Sequence, residues 1–307
     1  MTMKTTSPAV SFGMPVYNGA RYLSEALDSL LAQDFPDFEI IISDNASTDE
    51  TPDICASYAA RDTRIKYYRL DHNHGAAFNY NRVFELSSGR YFKWAAHDDL
   101  IRPAFLSRCL EIFENHSQDS PPPAIVYPGS AFIDEAGKLV GPDIKVMHTL
   151  ARQPWARAFH TVQNMGMAAP VFGLFAREAL ERTRLIDSFI ASDYVLMFEA
   201  GLLGTIVRFN ETLFLRRVHP GMSRLANTKK RDVLKWFSPS AKQRLPTRQR
   251  LFIEYHRSVW GRKEIGFFGK IACSVALSLG VWFHRIRVLQ GYYRRKAMSR
   301  LQVALRR

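Results

Sequence analysis

The chain has 307 residues, 47% of them apolar and 23% charged, which is too hydrophobic for a disordered segment and long enough for one large core or two modest ones. The net charge of +13 is uneven. From Lys229 to Arg307 there are 20 Lys/Arg against 3 Asp/Glu, a balance of +17, leaving 22 against 26, or −4, for Met1 to Thr228. The basic character thus belongs to a tail, and no recognition motif accompanies it, so no nucleic-acid partner is expected. Cys55, Cys109 and Cys273 are odd in number, far apart and without metal-ligand spacing. A disulfide framework is not expected, and a reducing cytosol fits. The opening MTMKTTSPAVSF has one Lys and no apolar core, so no secretory signal is expected. The N-x-S/T triplets at Asn45, Asn115 and Asn210 then read as chance matches.

In chain order, β-rich runs are predicted at Val10–Met14, Phe38–Ser43, Ile65–Arg69 and Tyr91–Ala95. Helical patterns lie between and after them at Ala20–Ala32, Glu50–Ala60, Gly75–Leu86 and Pro103–Asn115. This alternation predicts βαβ units on a mostly parallel sheet, which bind ligands beyond the carboxyl ends of the strands. The Pro triplet in Ser117–Pro123 marks a boundary. Ala124–Phe132 follows as a strand, Asp134–Gly141 as a turn, Val171–Phe175 as a β-like run, Asp193–Leu203 as a helix and Thr205–Arg216 as the last strand.

The strand ends collect polar groups. Pro15-Val16-Tyr17-Asn18-Gly19 follows the first strand and Asp44-Asn45-Ala46-Ser47-Thr48-Asp49 the second. Asp71-His72-Asn73-His74-Gly75 follows the third and His97-Asp98-Asp99 the fourth. An aromatic face can stack on a base, a carboxylate can accept from a base N–H, and clustered carboxylates call for a cation. Magnesium or manganese, which prefer oxygen ligands and bridge carboxylates to phosphates, would satisfy the cluster with a nucleoside diphosphate. Each group also has a plainer reading. Ser47 and Thr48 suit a helix cap, Tyr17 a turn, and Asp98-Asp99 the start of a helix before Pro103.

At these residues the chain resembles the family-two inverting glycosyltransferases of the GT-A type, from about Val10 to Ser223. The resemblance is carried by PVYNGARYLSEALDSLLAQ from Pro15, FEIIISDNASTDET from Phe38, NHGAAFNYN from Asn73 and GRYFKWAAHDD from Gly89. It implies a GT-A nucleotide-diphospho-sugar transferase fold: α/β, with a Rossmann-like mixed, mostly parallel sheet and a C-terminal helical extension. It also implies a donor-nucleotide site from Pro15, Tyr17, Asn18, Asp44, Asn73, Gly75 and His97, with Tyr17 stacking on the base, Asp44 bonding it and His97 near the ribose. Asp98 matches the last carboxylate of the D-x-D metal element, with Asp99 and His219 as further candidates for a Mg2+ or Mn2+ ion. Ala96 stands where the first Asp of that element is expected.

Asp193 aligns with the general base, in an element where Ser192 replaces the usual Glu. It can equally cap the helix it begins. Arg216-Arg217-Val218-His219 resembles a closing segment near the phosphates, although His219 alone would read as a turn residue. Gly173 matches a small residue on the acceptor side.

From Lys229 basic residues alternate with Trp236, Phe237, Phe252, Tyr255, Trp260, Phe267, Phe268, Trp282, Phe283, Tyr292 and Tyr293. The 13-residue uninterrupted apolar run Ile271–Phe283 is short of the roughly 20 residues of a spanning helix, so it reads as an interfacial helix on an anionic membrane surface. A helical hairpin packed on the body is the alternative. The expectation is a transferase domain over 1–225 and a basic helical extension over 226–307. It would act on a nucleotide-sugar donor, a UDP-sugar before others, and on a glycan or lipid-linked acceptor. Its place would be peripheral, on the cytoplasmic face of a bacterial membrane. A degenerate body that only binds membrane or polyanion is the competing reading, kept open by Ala96 and Ser192.

Overall fold

The fold was analysed in a computed structural model, which describes residues 7–144, 146–166, 169–222, 229–239 and 245–304. The expected boundary near 225, Ser223, and the side chains of Tyr292 and Tyr293 lie outside the described residues.

The predicted alternation is found. β1 (Val10–Val16), β2 (Phe38–Asp44), β3 (Ile65–Arg69) and β4 (Tyr91–Trp94) are separated by α1 (Ala20–Leu31), α2 (Thr51–Arg61) and α3 (Ala76–Glu85). After β4 come the short β5 (Leu100–Ile101), α4 (Phe105–Glu114) and the long β6 (Pro123–Ile133). The predicted turn after it is tighter than expected. Asp134 accepts from the Ala136 and Lys138 amides, and the chain returns at once as β7 (Leu139–Asp143). The run at Val171–Phe175 is split between a 3-10 turn (Ala169–Phe172) and β8 (Leu174–Ala176). Around it lie α5 (Pro154–Gln163), α6 (Arg177–Glu181), α7 (Ser192–Leu203) and β9 (Thr205–Arg217).

One nine-stranded sheet results, in the order β3-β2-β1-β4-β8-β6-β9-β5, with β7 beside β6. β1 to β4 are mutually parallel, β8 is antiparallel to β4 and β6, and β9 is parallel to β6. Thus β1, β2, β3, β4, β6 and β9 run one way, and their ends define one rim. β1 and β2 are buried along their whole length, as strands covered on both faces must be. Phe12, Met14, Ile40 and Ile42 join α1 and α4 on one face, while Ile41 joins the other. Gly13 is required on that second face, because a Cβ there would lie 2.5 Å from the Phe92 ring.

The tail folds against that second face. It comprises α8 (Lys230–Phe237), α9 (Thr247–Gly261) and α10 (Phe267–Ala304). Tyr255, Val259, Ile265, Cys273 and Leu277 belong to the same apolar cluster as Trp94, Phe175 and Phe198. Arg184 clamps α9 to α7, bonding the buried Glu199 (2.8 Å) and Glu254 (2.6 Å) and the Ser258 hydroxyl (2.8 Å). α10 lies along α5, where Gly280 meets Phe159 and the Arg287 guanidinium donates to the Gln163 carbonyl. The helix is longer than the apolar run suggested, because helix-compatible Arg and Gln continue it. Phe267–Gln290, 24 residues of mean hydropathy 1.4, is long and apolar enough by composition to cross a membrane. Its inner face is nevertheless committed to protein.

Candidate active site

The loops after β1 and β2 hold each other through side chains. The Asn18 amide donates to Ser47 Oγ (2.9 Å), the Thr48 amide to Asn18 Oδ1 (2.8 Å) and the Gly19 amide to Thr51 Oγ1 (2.9 Å). Asn18 takes a positive φ of 50°, which Asn tolerates better than most residues. The Asn18, Ser47 and Thr51 side chains are therefore loop clamps. Tyr17, 44% exposed, is left at the edge of the cleft that these loops border.

That cleft has a volume of about 900 Å³. Pro15, Tyr17, Asn18, Asn73, His97, Asp98, Asp99, Arg216, Arg217 and His219 all line it, so most of the residues singled out in sequence converge. Gly75, Gly173 and Asp193 are not among them, and neither is Asp44. Its carboxylate is fully buried and satisfied by the Ser47 amide (2.9 Å) and the Tyr67 hydroxyl (3.0 Å), with Arg69 at 3.5 Å. The neighbouring Asn45 reaches the cleft instead, and its amide group ties the third loop by donating to Asn73 Oδ1 (2.9 Å). Asn73 Oδ1 also accepts from the Gly75 amide (2.8 Å). Gly75 itself adopts φ 89°, and a Cβ there would lie 2.7 Å from the Phe237 carbonyl oxygen. Gly173 is likewise a packing glycine, with room for a Cβ denied by Ile125 and Tyr127 at 2.9 Å; the adjacent Phe172 lines the cleft.

The metal candidates do not all meet. His219 Nε2 lies 2.9 Å from Asp98 Oδ2, with its ring edge-on to Tyr22. Asp99 instead turns to accept from the Arg217 amide (2.9 Å). Burial, and then the Asp98 charge, push the Asp99 carboxyl well above the ordinary carboxylate range. Beneath it, burial lowers the Lys93 ammonium, which donates to the Phe172 carbonyl (2.7 Å). Asp98 and His219 thus set one oxygen and one nitrogen donor side by side, a pair that would suit a Mg2+ or Mn2+ ion. Among the described residues, the one group of three side chains with ligand atoms within 4.8 Å is Asp71, His72 and His74, exposed or half-buried on the loop after β3.

Arg217 supports the Asp98–Asp99 loop from behind. It is buried, and it donates to the Asp98 carbonyl (3.0 Å), the Glu135 carbonyl (2.9 Å) and the Glu25 carboxylate (2.7 Å). Arg216 pairs with Asp143 at 3.0 Å. The two arginines expected at the phosphates are therefore largely engaged by protein groups.

Asp193 sits in the first turn of α7, after Ala191 in the left-handed region. Burial raises its carboxyl to about 6, against backbone N–H bonds that lower it. The Tyr80 phenol lines the cleft and is raised by burial first, then by Asp98, Asp99 and Asp193, so one hydroxyl feels both carboxylate groups. Ser192 is buried and donates to the Asp187 carbonyl (2.8 Å), a structural role. Sequence reasoning missed Asn45, Tyr80, Phe172 and four residues of the tail. Asp232, Lys235, Trp236 and Pro239 form a further wall of the same cleft.

Known proteins agree with this architecture. TuaG of Bacillus subtilis, a glycosyltransferase assigned to teichuronic acid biosynthesis, is 36% identical over 38% of this chain and 46% of its own length. Overall the chain spans less than half the length of the first curated relatives it matches. Staphylococcus aureus TarS, solved with UDP-GlcNAc, superposes with a TM-score of 0.61 at 16% identity over 87% of this chain and 71% of that one. A Pyrobaculum calidifontis mannosyltransferase, solved with GDP-Man and Mn2+, gives 0.52 at 15% over 94% and 81%. Residues 11–183, more than half of the chain, match the profile of glycosyl transferase family 2. The chain belongs to that family, on a GT-A type fold.

Proposed function

We propose that the chain transfers a sugar, with inversion, from a nucleoside-diphosphate donor, a UDP-sugar before others, to a hydroxyl of a bacterial surface glycan or its lipid-linked precursor. The carrying observation is the single cleft that joins Tyr17, Asn73 and His97 to the Asp98–His219 pair. Tyr17 offers its ring to the base, and Asn45 and Asn73 offer amides beside it. Asp98 and His219 would hold a Mg2+ or Mn2+ ion, which when bound supplies positive charge against the leaving diphosphate. Asp193 takes the proton of the attacking hydroxyl, and its raised affinity for protons suits that task. TuaG supports a surface-polysaccharide setting, and TarS a UDP-linked donor.

A place on the cytoplasmic face of the membrane is supported by α10. Phe268, Ile271, Val275, Leu279 and Trp282 recur at helical spacing and are all exposed, on the side away from α5.

The reading is tested by incubating the protein with UDP- and GDP-sugars and Mn2+ and following nucleotide release. The wild type should turn over at least one donor, and Asp98→Ala should lose most of that activity. Turnover unchanged in Asp98→Ala would contradict the assignment. The degenerate-body reading has its own support in Ala96 and in the structural role of Ser192. It predicts no turnover with any donor and no effect of Mn2+ on nucleotide affinity.

A further inference from the structure

The cleft is short of free positive charge where a diphosphate must sit. Arg217 is buried among carbonyls and Glu25. Arg216 faces Asp143, Arg21 is paired with Glu135, and His219 is bonded to Asp98. Lys235 is the exception: it lines the cleft, is exposed, and forms no ion pair among the described residues.

Its placement follows from helix geometry. Asp232, Lys235, Trp236 and Pro239 are spaced i, i+3, i+4 and i+7, so they share one face of α8 and its C-terminal extension, and that face lines the cleft. Phe237 points the other way, into the apolar cluster beneath. The C-terminal end of α8 sits against Gly75, where no side chain could fit, directly after the Asn73 loop beside the nucleotide position. α8 is thus anchored at both its core face and its end. Trp236, 37% exposed, keeps its indole toward the cleft.

We propose that α8 forms the second wall of the donor site, with Lys235 contacting the diphosphate of the nucleotide sugar and Trp236 packing against the bound donor. An ammonium is a suitable point charge for phosphate oxygens. The Lys235 contact supplies the charge that Arg216 and Arg217 have committed elsewhere. The proposal rests on the nucleotide-sugar reading above and adds a residue from the basic tail to it.

Calorimetry on the full chain with Mn2+ separates the two. UDP, GDP and uridine are titrated into the wild type, and UDP and uridine into Lys235→Ala and Lys235→Arg. Arg231→Ala removes an exposed charge from the same helix outside the cleft and serves as the control. Loss of one charged hydrogen bond should weaken UDP binding about tenfold or more in Lys235→Ala. Uridine affinity should be unchanged, Lys235→Arg should recover most of the loss, and Arg231→Ala should match the wild type. UDP should also quench tryptophan fluorescence in the wild type and not in Trp236→Phe. If Lys235→Ala binds UDP as the wild type does, or loses UDP and uridine equally, the proposal is wrong and the nucleotide-sugar reading stands. If the wild type binds neither UDP nor GDP, that reading fails, and the α8 assignment with it.

Discussion

At Asp193 and Gly75 the surroundings of a single residue lead to definite expectations. Burial raises the Asp193 carboxyl to about 6, and as the proposed base it would accept the acceptor proton only in its ionised form. The ionised fraction grows as pH rises through that value, so turnover should climb between about pH 5 and 7 and then level. A rate that falls over this range in a stopped assay would count against Asp193 as the base. Gly75→Ala places a Cβ against the Phe237 carbonyl in a left-handed backbone region that side chains rarely adopt. It should cost about 1–3 kcal/mol of stability by thermal denaturation and weaken UDP binding by displacing α8. An unchanged melting temperature would show that α8 is not held there.

The family resemblance singled out Tyr17, Asp98 and His219, and the structure places all three on one cleft. It did not separate Asp44 from Asn45, or Arg217 from a phosphate ligand. Which neighbour faces the cleft depends on where Tyr67, Glu25 and Glu135 fall in three dimensions.

Among the elements, α1 to α4 and β1 to β4 were placed closely by periodicity and turn residues, since local pattern and packing agree there. β7 was missed because Leu139–Asp143 is mostly exposed, carries Gly and Pro, and is a strand only by pairing with β6. The joint between α7 and α9 was also invisible, because Arg184 lies 70 residues from Glu254. It now gives a sharp expectation. Burial alone would raise Glu254, but the Arg184 bond and neighbouring guanidinium groups hold it below its ordinary value. Arg184→Ala would leave Glu254 to Arg250 and Arg257, and Glu199 to Ser258 and the more distant Arg262, and should destabilise the protein by about 1–3 kcal/mol in urea denaturation. A loss below about 1 kcal/mol would mean that α9 is held by its apolar contacts alone.

Across the whole molecule, the basic tail serves two surfaces. Its inner side closes the apolar core and lines the cleft, while its outer side exposes the α10 stripe. Composition revealed the charge and the aromatics but not this division, because which face of a helix is covered is set by α5 and α7. Sedimentation with anionic liposomes should recover the wild type, and Phe268→Glu with Trp282→Glu should release it without loss of soluble-donor turnover. Equal sedimentation of both would place the membrane contact elsewhere.

The central claim, inverting transfer from a nucleotide sugar at the Asp98–His219 cleft with Asp193 as the base, is tested most directly by NMR of the sugar first released when a UDP-sugar is hydrolysed in the absence of acceptor. An α-linked donor should give the β-anomer before mutarotation, and Asp193→Asn should slow its appearance by about 10²–10⁴-fold. Release of the α-anomer, or an Asp193→Asn rate equal to the wild type, would contradict the account.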